Sequence, residues 1–187
     1  MHIHLTPYNP AWPDLYLAEV VRLRDLIGPM IARAEHIGST AVPGLDAKPV
    51  IDVQVGVHDL PAFDAARGPA LLAAGGYQHY PQYETDIPFR RFFTRDHDGQ
   101  RQANIHLVAH DHPWFRRHTT LRDYLRASPD ALLRYQAAKH DLARCDWPTV
   151  NDYAAAKTPI ILQLEEEAFA HFRLPEPDRH QLRQSRI

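Results

Sequence analysis

The chain has 187 residues, enough for one domain with a sizeable core, and its 44% hydrophobic and 24% charged residues are ordinary for a globular protein. A formal net charge of -2 argues against a general nucleic-acid binder, and the single cysteine, Cys145, excludes an internal disulfide framework and a cysteine-built zinc cluster. No apolar run reaches the length of a membrane span, and the first residues lack a basic region followed by an apolar stretch, so the expected setting is the cytoplasm, away from membranes.

In chain order, Pro13-Asp14 opens a predicted helix whose apolar stripe is Leu15, Ala18, Val21, Leu23 and Leu26, ending at Gly28-Pro29. Ile31–Ile37 reads as a first strand that runs into Gly38-Ser39. Val50–Val57 is almost wholly apolar apart from Asp52 and Gln54, the pattern of a central strand buried on both faces. Asp52 and Gln54 are two apart and therefore point to the same face. Residues 59–74 read as one helix closed by Gly75-Gly76, and Tyr77–Tyr83 as an extended aromatic stretch. Arg90–Arg95 is a strand, Asp98-Gly99 supplies a hairpin turn, and Arg101–Ala109 returns with Asn104, His106 and Val108 on one face. Beyond Pro113 the pattern turns helical: Trp114–Arg126, then a helix capped by Ser128 and running to about Cys145, then one last helix from Thr149 or Asn151 through Phe172. Residues 173–187 form a polar tail.

The residues carrying chemistry lie mainly between His36 and Gln54. A Gly38-Ser39 turn offers backbone N–H groups and a hydroxyl to an anion, with Thr40 and Lys48 close in sequence, although the same dipeptide also ends ordinary strands. Asp52, a carboxylate in an apolar strand, needs a cation, a hydrogen-bond partner or a metal. His106 would face it if the two strands are neighbours, and adding His36 completes a His/Asp/His set of the kind that suits zinc, manganese or iron better than magnesium. Arg91, Arg122, Lys139 and Lys157 are the cations expected to neutralise phosphates, each of them equally at home on a solvated face. No Gly-x-Ser-x-Gly elbow surrounds Ser39, and the glycines match neither the dinucleotide nor the P-loop pattern.

Four blocks carry a resemblance to a known family: Tyr8-Asn9-Pro10-Ala11-Trp12-Pro13; His36 to Gly44 with Lys48-Pro49-Val50-Ile51-Asp52; Asn104-Ile105-His106-Leu107-Val108; and Phe115 through Arg126. On these the chain resembles the GrpB family, also called uncharacterised protein family 0157, over nearly its whole length to about Phe172. The resemblance implies the nucleotidyltransferase-like superfamily. That fold is α+β, a mixed β-sheet flanked by helices, here a single domain over 1–172 with a C-terminal helical layer at about 114–172. It also implies that Gly38 and Ser39 orient a nucleoside triphosphate, that Asp52 is the first metal-binding carboxylate, that Gln54 stands where the second belongs, and that His106 stands at the third. Catalytic roles would then fall to Asp52, Gln54 and His106, with a divalent metal (Mg, Mn or Zn) held by His36, Asp52 and His106. The expected function is a metal-dependent nucleotidyltransferase acting on a small molecule. Gln54 replaces a charged ligand, which favours as an alternative a non-catalytic nucleotide-binding or phosphate-binding module. A third reading is a metal-dependent hydrolase. The partner expected in each case is a small molecule or nucleotide rather than nucleic acid.

Overall fold

Proline and glycine set most of the element boundaries in the computed structural model, which describes residues 1–175. Pro13 lies in the first turn of helix α1 (Trp12–Ile27), where its missing N–H is not needed. Strands β1 (Ile31–Ile37) and β2 (Ile51–Val57) follow, joined through a one-turn 3-10 segment at Ser39–Ala41. Then come α2 (Leu60–Ala65), α3 (Gly68–Ala74), β3 (Tyr77–His79), β4 (Arg90–His97) and β5 (Gln100–Ala109). Four helices complete the described chain: α4 (Pro113–Ala127), α5 (Pro129–Ala143), α6 (Val150–Ala156) and α7 (Thr158–His171).

The five strands form one mixed sheet in the order β1-β2-β5-β4-β3, in which only β2 and β5 run parallel. The fold is therefore α+β, as the sequence predicts. Period-two alternation gives the sheet two unlike faces. Val53, Val55, Val57, Phe93, Ile105 and Leu107 point to one face, where Trp12, Leu23, Ile27, Phe63 and Leu72 of α1 to α3 close a dry core. Asp52, Gln54, Asn104, His106, Thr94 and Phe92 share the other face, as the cross-strand register dictates. Helix α4 covers part of that polar face through Trp114 and Phe115. Helices α5 and α7 pack on α4 and on Val42 and Leu45 through a separate apolar cluster.

Three boundaries and one helix face depart from the sequence pattern. The helix expected over 59–74 divides in two, because Arg67 is left-handed (φ 59°) and Gly68-Pro69 starts a new helix; a Cβ at Gly68 would lie 2.2 Å from the Phe63 ring. The helix expected to run to Phe172 likewise divides at Lys157, since Pro159 has no N–H to continue α6. The aromatic stretch stays extended only to His79 and then coils into a 3-10 turn at Pro81–Glu84. In α1 the buried positions are Trp12, Glu19, Leu23 and Ile27, while Leu15 and Val21 face solvent. The polar tail expected over 173–187 falls, beyond residue 175, outside the described residues.

Glu19 is tolerated inside because its carboxylate accepts from Tyr77 Oη at 2.6 Å and from Arg95 Nε and Nη2 at 2.9 and 2.7 Å. Removing it leaves a buried phenol and a guanidinium without their acceptor. Glu19→Ala is expected to lower unfolding stability by about 3–5 kcal/mol, measured by urea denaturation; a loss below about 1 kcal/mol would show that the pair does not hold α1 to β3 and β4.

Candidate functional site

The site is built at the start of the polar sheet face, where β1 ends and β2 begins. Gly38 adopts φ 71° and ψ -172°, a backbone region open essentially to glycine. A Cβ there would lie 2.3 Å from Asp52 Oδ2. The glycine is thus required twice, by its backbone angle and by the carboxylate against it.

Asp52 keeps 28% of its side chain exposed. Its Oδ1 accepts from Asn104 Nδ2 at 2.8 Å and lies 3.8 Å from His106 Nε2. Arg90 Nη1 approaches His106 Nδ1 at 3.4 Å. A guanidinium only donates, so Nδ1 is the acceptor and the imidazole turns its Nε2–H toward Asp52. Burial opposes ionisation of Asp52, but His106, Asn104 and Lys157 outweigh it and hold the carboxyl below its usual range. Burial also pushes His106 down, toward the neutral form, against the pull of Asp52.

Three lysines arrive from separate segments. Lys48 comes from the loop before β2, Lys139 from α5, and Lys157 from the break between α6 and α7. Lys48 and Lys157 both place Nζ over the Tyr153 ring, at 5.8 and 4.8 Å from its centroid. Lys139, only 2% exposed, donates to the Asp46 carbonyl and lies 5.0 Å from the Tyr135 ring centroid. Burial first, and then the charge of Lys157, brings Lys139 down to about 7. The same two causes lower Lys48, and burial lowers Lys157, with Asp52 opposing in both cases. Ser39 stands near Tyr135, whose phenol burial pushes up to about 12.

Asp52, Gly38, Ser39, Lys48, Lys139, Lys157 and His106 therefore belong to one connected cluster. Other expected members lie elsewhere. His36 pairs with Val53 in the register and so points to the face opposite Asp52. There it stacks on Tyr16 (4.8 Å, 5°) and meets Thr40 Oγ1 at 3.0 Å, and burial brings it down to about 4. Thr40 is buried, with its hydroxyl between His36 and the Val50 carbonyl, so it braces the turn from behind. Arg91 pairs with Asp64 at 2.7 Å and Glu84 at 3.4 Å on the α2 side of the sheet. Arg122 binds Glu35, Asp123 and the His36 carbonyl, tying α4 to β1. Gln54 is fully buried beneath the site, and neither its Oε1 nor its Nε2 has a partner among the described protein groups.

Sequence reasoning assigns the inward cation of β4 to Arg91, whereas the structure turns Arg90 inward. Arg90-Arg91-Phe92-Phe93 offers one arginine and one phenylalanine to each face, so the pattern carries no signal for the choice. Asn104, directly opposite Asp52 in the register, was legible as a face-sharing residue of His106 but not as the closer partner. Tyr135 and Tyr153 carry no signal beyond helical periodicity.

The donor set does not fit a two-metal centre. It holds one carboxylate, already bonded to an amide, with Lys48 and Lys157 in its field; hard divalent cations need several negative ligands. Among the described residues no three His, Cys, Asp or Glu side chains are grouped to hold a metal ion. The cluster instead offers several cations and hydroxyls to an anion. It is separate from an open groove of about 350 Å³ lined by Tyr8, Tyr16, Glu35, His36, Arg122 and Arg126 among others. No helix of the described residues is long and apolar enough to cross a membrane.

Gly38→Ala is expected to cost about 1–3 kcal/mol from the backbone alone, with a further loss from the contact with Asp52. In urea denaturation the double variant Gly38→Ala/Asp52→Ala should recover the second part and not the first. Simple additivity of the two single variants would refute the contact.

The sequence model of the family described as GrpB protein matches residues 2–167. The UPF0157 protein YqkA of Bacillus subtilis is 32% identical over 166 residues, which cover 89% of this chain and 47% of YqkA. A dephospho-CoA kinase of Mycobacterium tuberculosis is 34% identical over 186 residues, covering 88% of this chain and 46% of that protein. The chain thus spans about half the length of these two relatives. A crystal structure of a conserved GrpB protein from Enterococcus faecalis superposes with a TM-score of 0.79 at 29% identity, covering 90% of this chain and 99% of that one.

Proposed function

This chain belongs to the GrpB family, and from that premise and the geometry of the Asp52 cluster we propose that it binds a phosphorylated small molecule, with Lys48, Lys139 and Lys157 as the phosphate-facing cations. The observation that carries the reading is the meeting of three lysines from three segments: Lys48 and Lys157 share the Tyr153 ring within the field of Asp52, and Lys139, held at the Asp46 carbonyl, feels the charge of Lys157. Burial first, and for Lys48 and Lys139 the repulsion of Lys157, holds the lysines toward their neutral forms. A phosphate relieves that repulsion and accepts from ammonium and hydroxyl donors. The Gly38-Ser39 turn adds an exposed stretch of backbone beside Asp52. One relative bears the name dephospho-CoA kinase, which joins a segment like this one to phosphoryl-transfer chemistry in that protein. In this reading the chain is a ligand-binding module.

Nucleotidyl transfer is the second reading, and it is favoured by the contact of Gly38 with Asp52. It demands negative charge that Gln54 and Asn104 do not supply. Its test is pyrophosphate release from each of the four nucleoside triphosphates with Mg, Mn or Zn; turnover that Asp52→Ala abolishes would replace the module reading, and no turnover under any of these conditions would remove the transferase.

Calorimetric titration with pyrophosphate and tripolyphosphate tests the binding reading itself. Lys157→Met is expected to weaken binding by about tenfold or more, the scale of a lost charge-assisted hydrogen bond. Binding near pH 8 should take up protons. In the free protein Lys139, at about 7, has lost most of its proton there; a bound anion raises its proton affinity, so the complex holds more protons than the free protein. Uptake is read from titrations in buffers of different ionisation enthalpy. No binding at millimolar ligand, or binding that Lys157→Met leaves unchanged, would refute the reading.

A further inference from the structure

The open groove of about 350 Å³ stands apart from the Asp52 cluster, at the edge of the sheet. β1 is the edge strand, α1 covers one face of the sheet and α4 the other, and all three contribute to the groove's walls. Its volume falls within the range of small-molecule sites, about 300–1,000 Å³. One wall is apolar. Pro13 and Leu17 of α1 and Pro43 of the loop before β2 are exposed there, Leu17 with 57% of its surface in water. Tyr8 and Tyr16 are half-buried rings held from behind, Tyr8 edge-on against Trp12 at 5.2 Å and Tyr16 stacked on His36. The polar wall is Arg122 and Arg126, one helical turn apart on α4.

The two arginines are employed differently. Every nitrogen of Arg122 donates: Nη1 to Glu35 at 2.7 Å and to the His36 carbonyl at 2.9 Å, and Nε and Nη2 to Asp123 at 2.8 and 3.1 Å. Arg126 donates from Nε and Nη2 to the Ala41 carbonyl at 2.9 and 2.7 Å, which fixes the plane of its guanidinium. Its Nη1 makes no hydrogen bond among the described residues and lies 3.6 Å from the Asp123 carboxylate that Arg122 already holds. The Tyr8 and Tyr16 hydroxyls likewise have no hydrogen-bond partner among the described residues. His36, brought down to about 4, is uncharged at neutral pH. The groove thus joins apolar surface to three free donors and one cation that is only partly compensated.

We infer that this groove is a second ligand site, for a small monocarboxylate with an apolar or aromatic body. The carboxylate is held by Arg126 Nη1 and the two tyrosine hydroxyls, and the body lies against Pro13, Leu17 and Pro43. The site is independent of the phosphate reading, since it shares no cation with the lysine cluster. A planar guanidinium edge and phenolic O–H groups suit a carboxylate, which only accepts. Glu35 and Asp123 stand beside the arginines, so a ligand with a second negative charge meets a repulsion that a singly charged one avoids.

Titration of the isotope-labelled intact chain with hydrocinnamate, followed through its backbone amide resonances, tests the site, with the uncharged hydrocinnamamide as control. The acid should shift the amides of Leu17, Glu35, His36 and Ala41 and saturate at millimolar concentration or below. The control should bind about tenfold more weakly, the scale of a lost charge-assisted hydrogen bond. Leu17 is exposed and outside the core, so its substitution reads the charge of the groove without unsettling the fold. Leu17→Asp should bind the acid about tenfold more weakly than Leu17→Lys, and the control should not distinguish the two variants. Shifts confined to Ser39, Lys48 and Lys157 would put the acid at the lysine cluster and overturn the groove site. Equal affinity for acid and control, equal affinity of the two Leu17 variants for the acid, or no saturable shift at millimolar acid would overturn it as well.

Discussion

The Asp52 carboxylate is the charge around which the polar half of this molecule is arranged. It projects from a central strand whose other side chains are almost all apolar, and a charge in that position needs compensation. Asn104 supplies a hydrogen bond across the parallel β2–β5 pair, His106 lies 3.8 Å away, Gly38 yields the space for its second oxygen, and Lys48 and Lys157 supply opposite charge. The loop before β2, helix α5 and the α6–α7 break all deliver a residue to that one place. Without the carboxylate, Lys48 and Lys157 would lose the charge that opposes their burial.

The two faces of the sheet divide the work. On the α1 to α3 side, interdigitated aliphatic and aromatic side chains carry the hydrophobic stabilisation, with Glu19, Tyr77 and Arg95 forming a buried polar group among them. On the α4 to α7 side the sheet contributes amide, imidazole and carboxylate groups, and stability comes from helix packing with its own apolar cluster and from the buried Arg117–Glu165 pair at 2.6 Å. Gln54, Thr94 Oγ1, Arg90 Nε and Tyr153 Oη lie buried without a partner among the described protein groups, all on or near the polar side. Unsatisfied polar atoms are costly. They gather on the polar face and not in the α1 to α3 core.

Much of the fold was legible in the sequence because it follows from local rules. The apolar run of β2, the Asp-Gly turn between β4 and β5, and the serine cap of α5 each state their own structure. The site was legible in part for the same reason: Gly38, Ser39, Asp52 and the three lysines are residue types out of place in their segments or charged within a helical layer. Elements went astray where periodicity admits two solutions. The α1 stripe could close on Leu15 and Val21 or on Trp12, Glu19 and Leu23, and only the Tyr77 and Arg95 partners on distant strands make Glu19 the buried choice. The helix predicted over 59–74 runs through Pro69, whose position at the start of a second helix the periodicity did not register.

The sequence by itself determined that this is an α+β chain with a Gly-Ser turn leading to one strand-borne carboxylate, since turn chemistry and apolar alternation act over a few residues. Only the tertiary structure decided which side chains meet that carboxylate. Strand register is a long-range property, and one step along a strand moves a side chain to the opposite face. That single step separates His36 from Asp52 and exchanges Arg91 for Arg90. It also puts Asn104 opposite Asp52, leaving His106 opposite Gln54. The meeting of Lys48, Lys139 and Lys157 depends in the same way on how helices distant in sequence dock on the sheet, which no local pattern encodes.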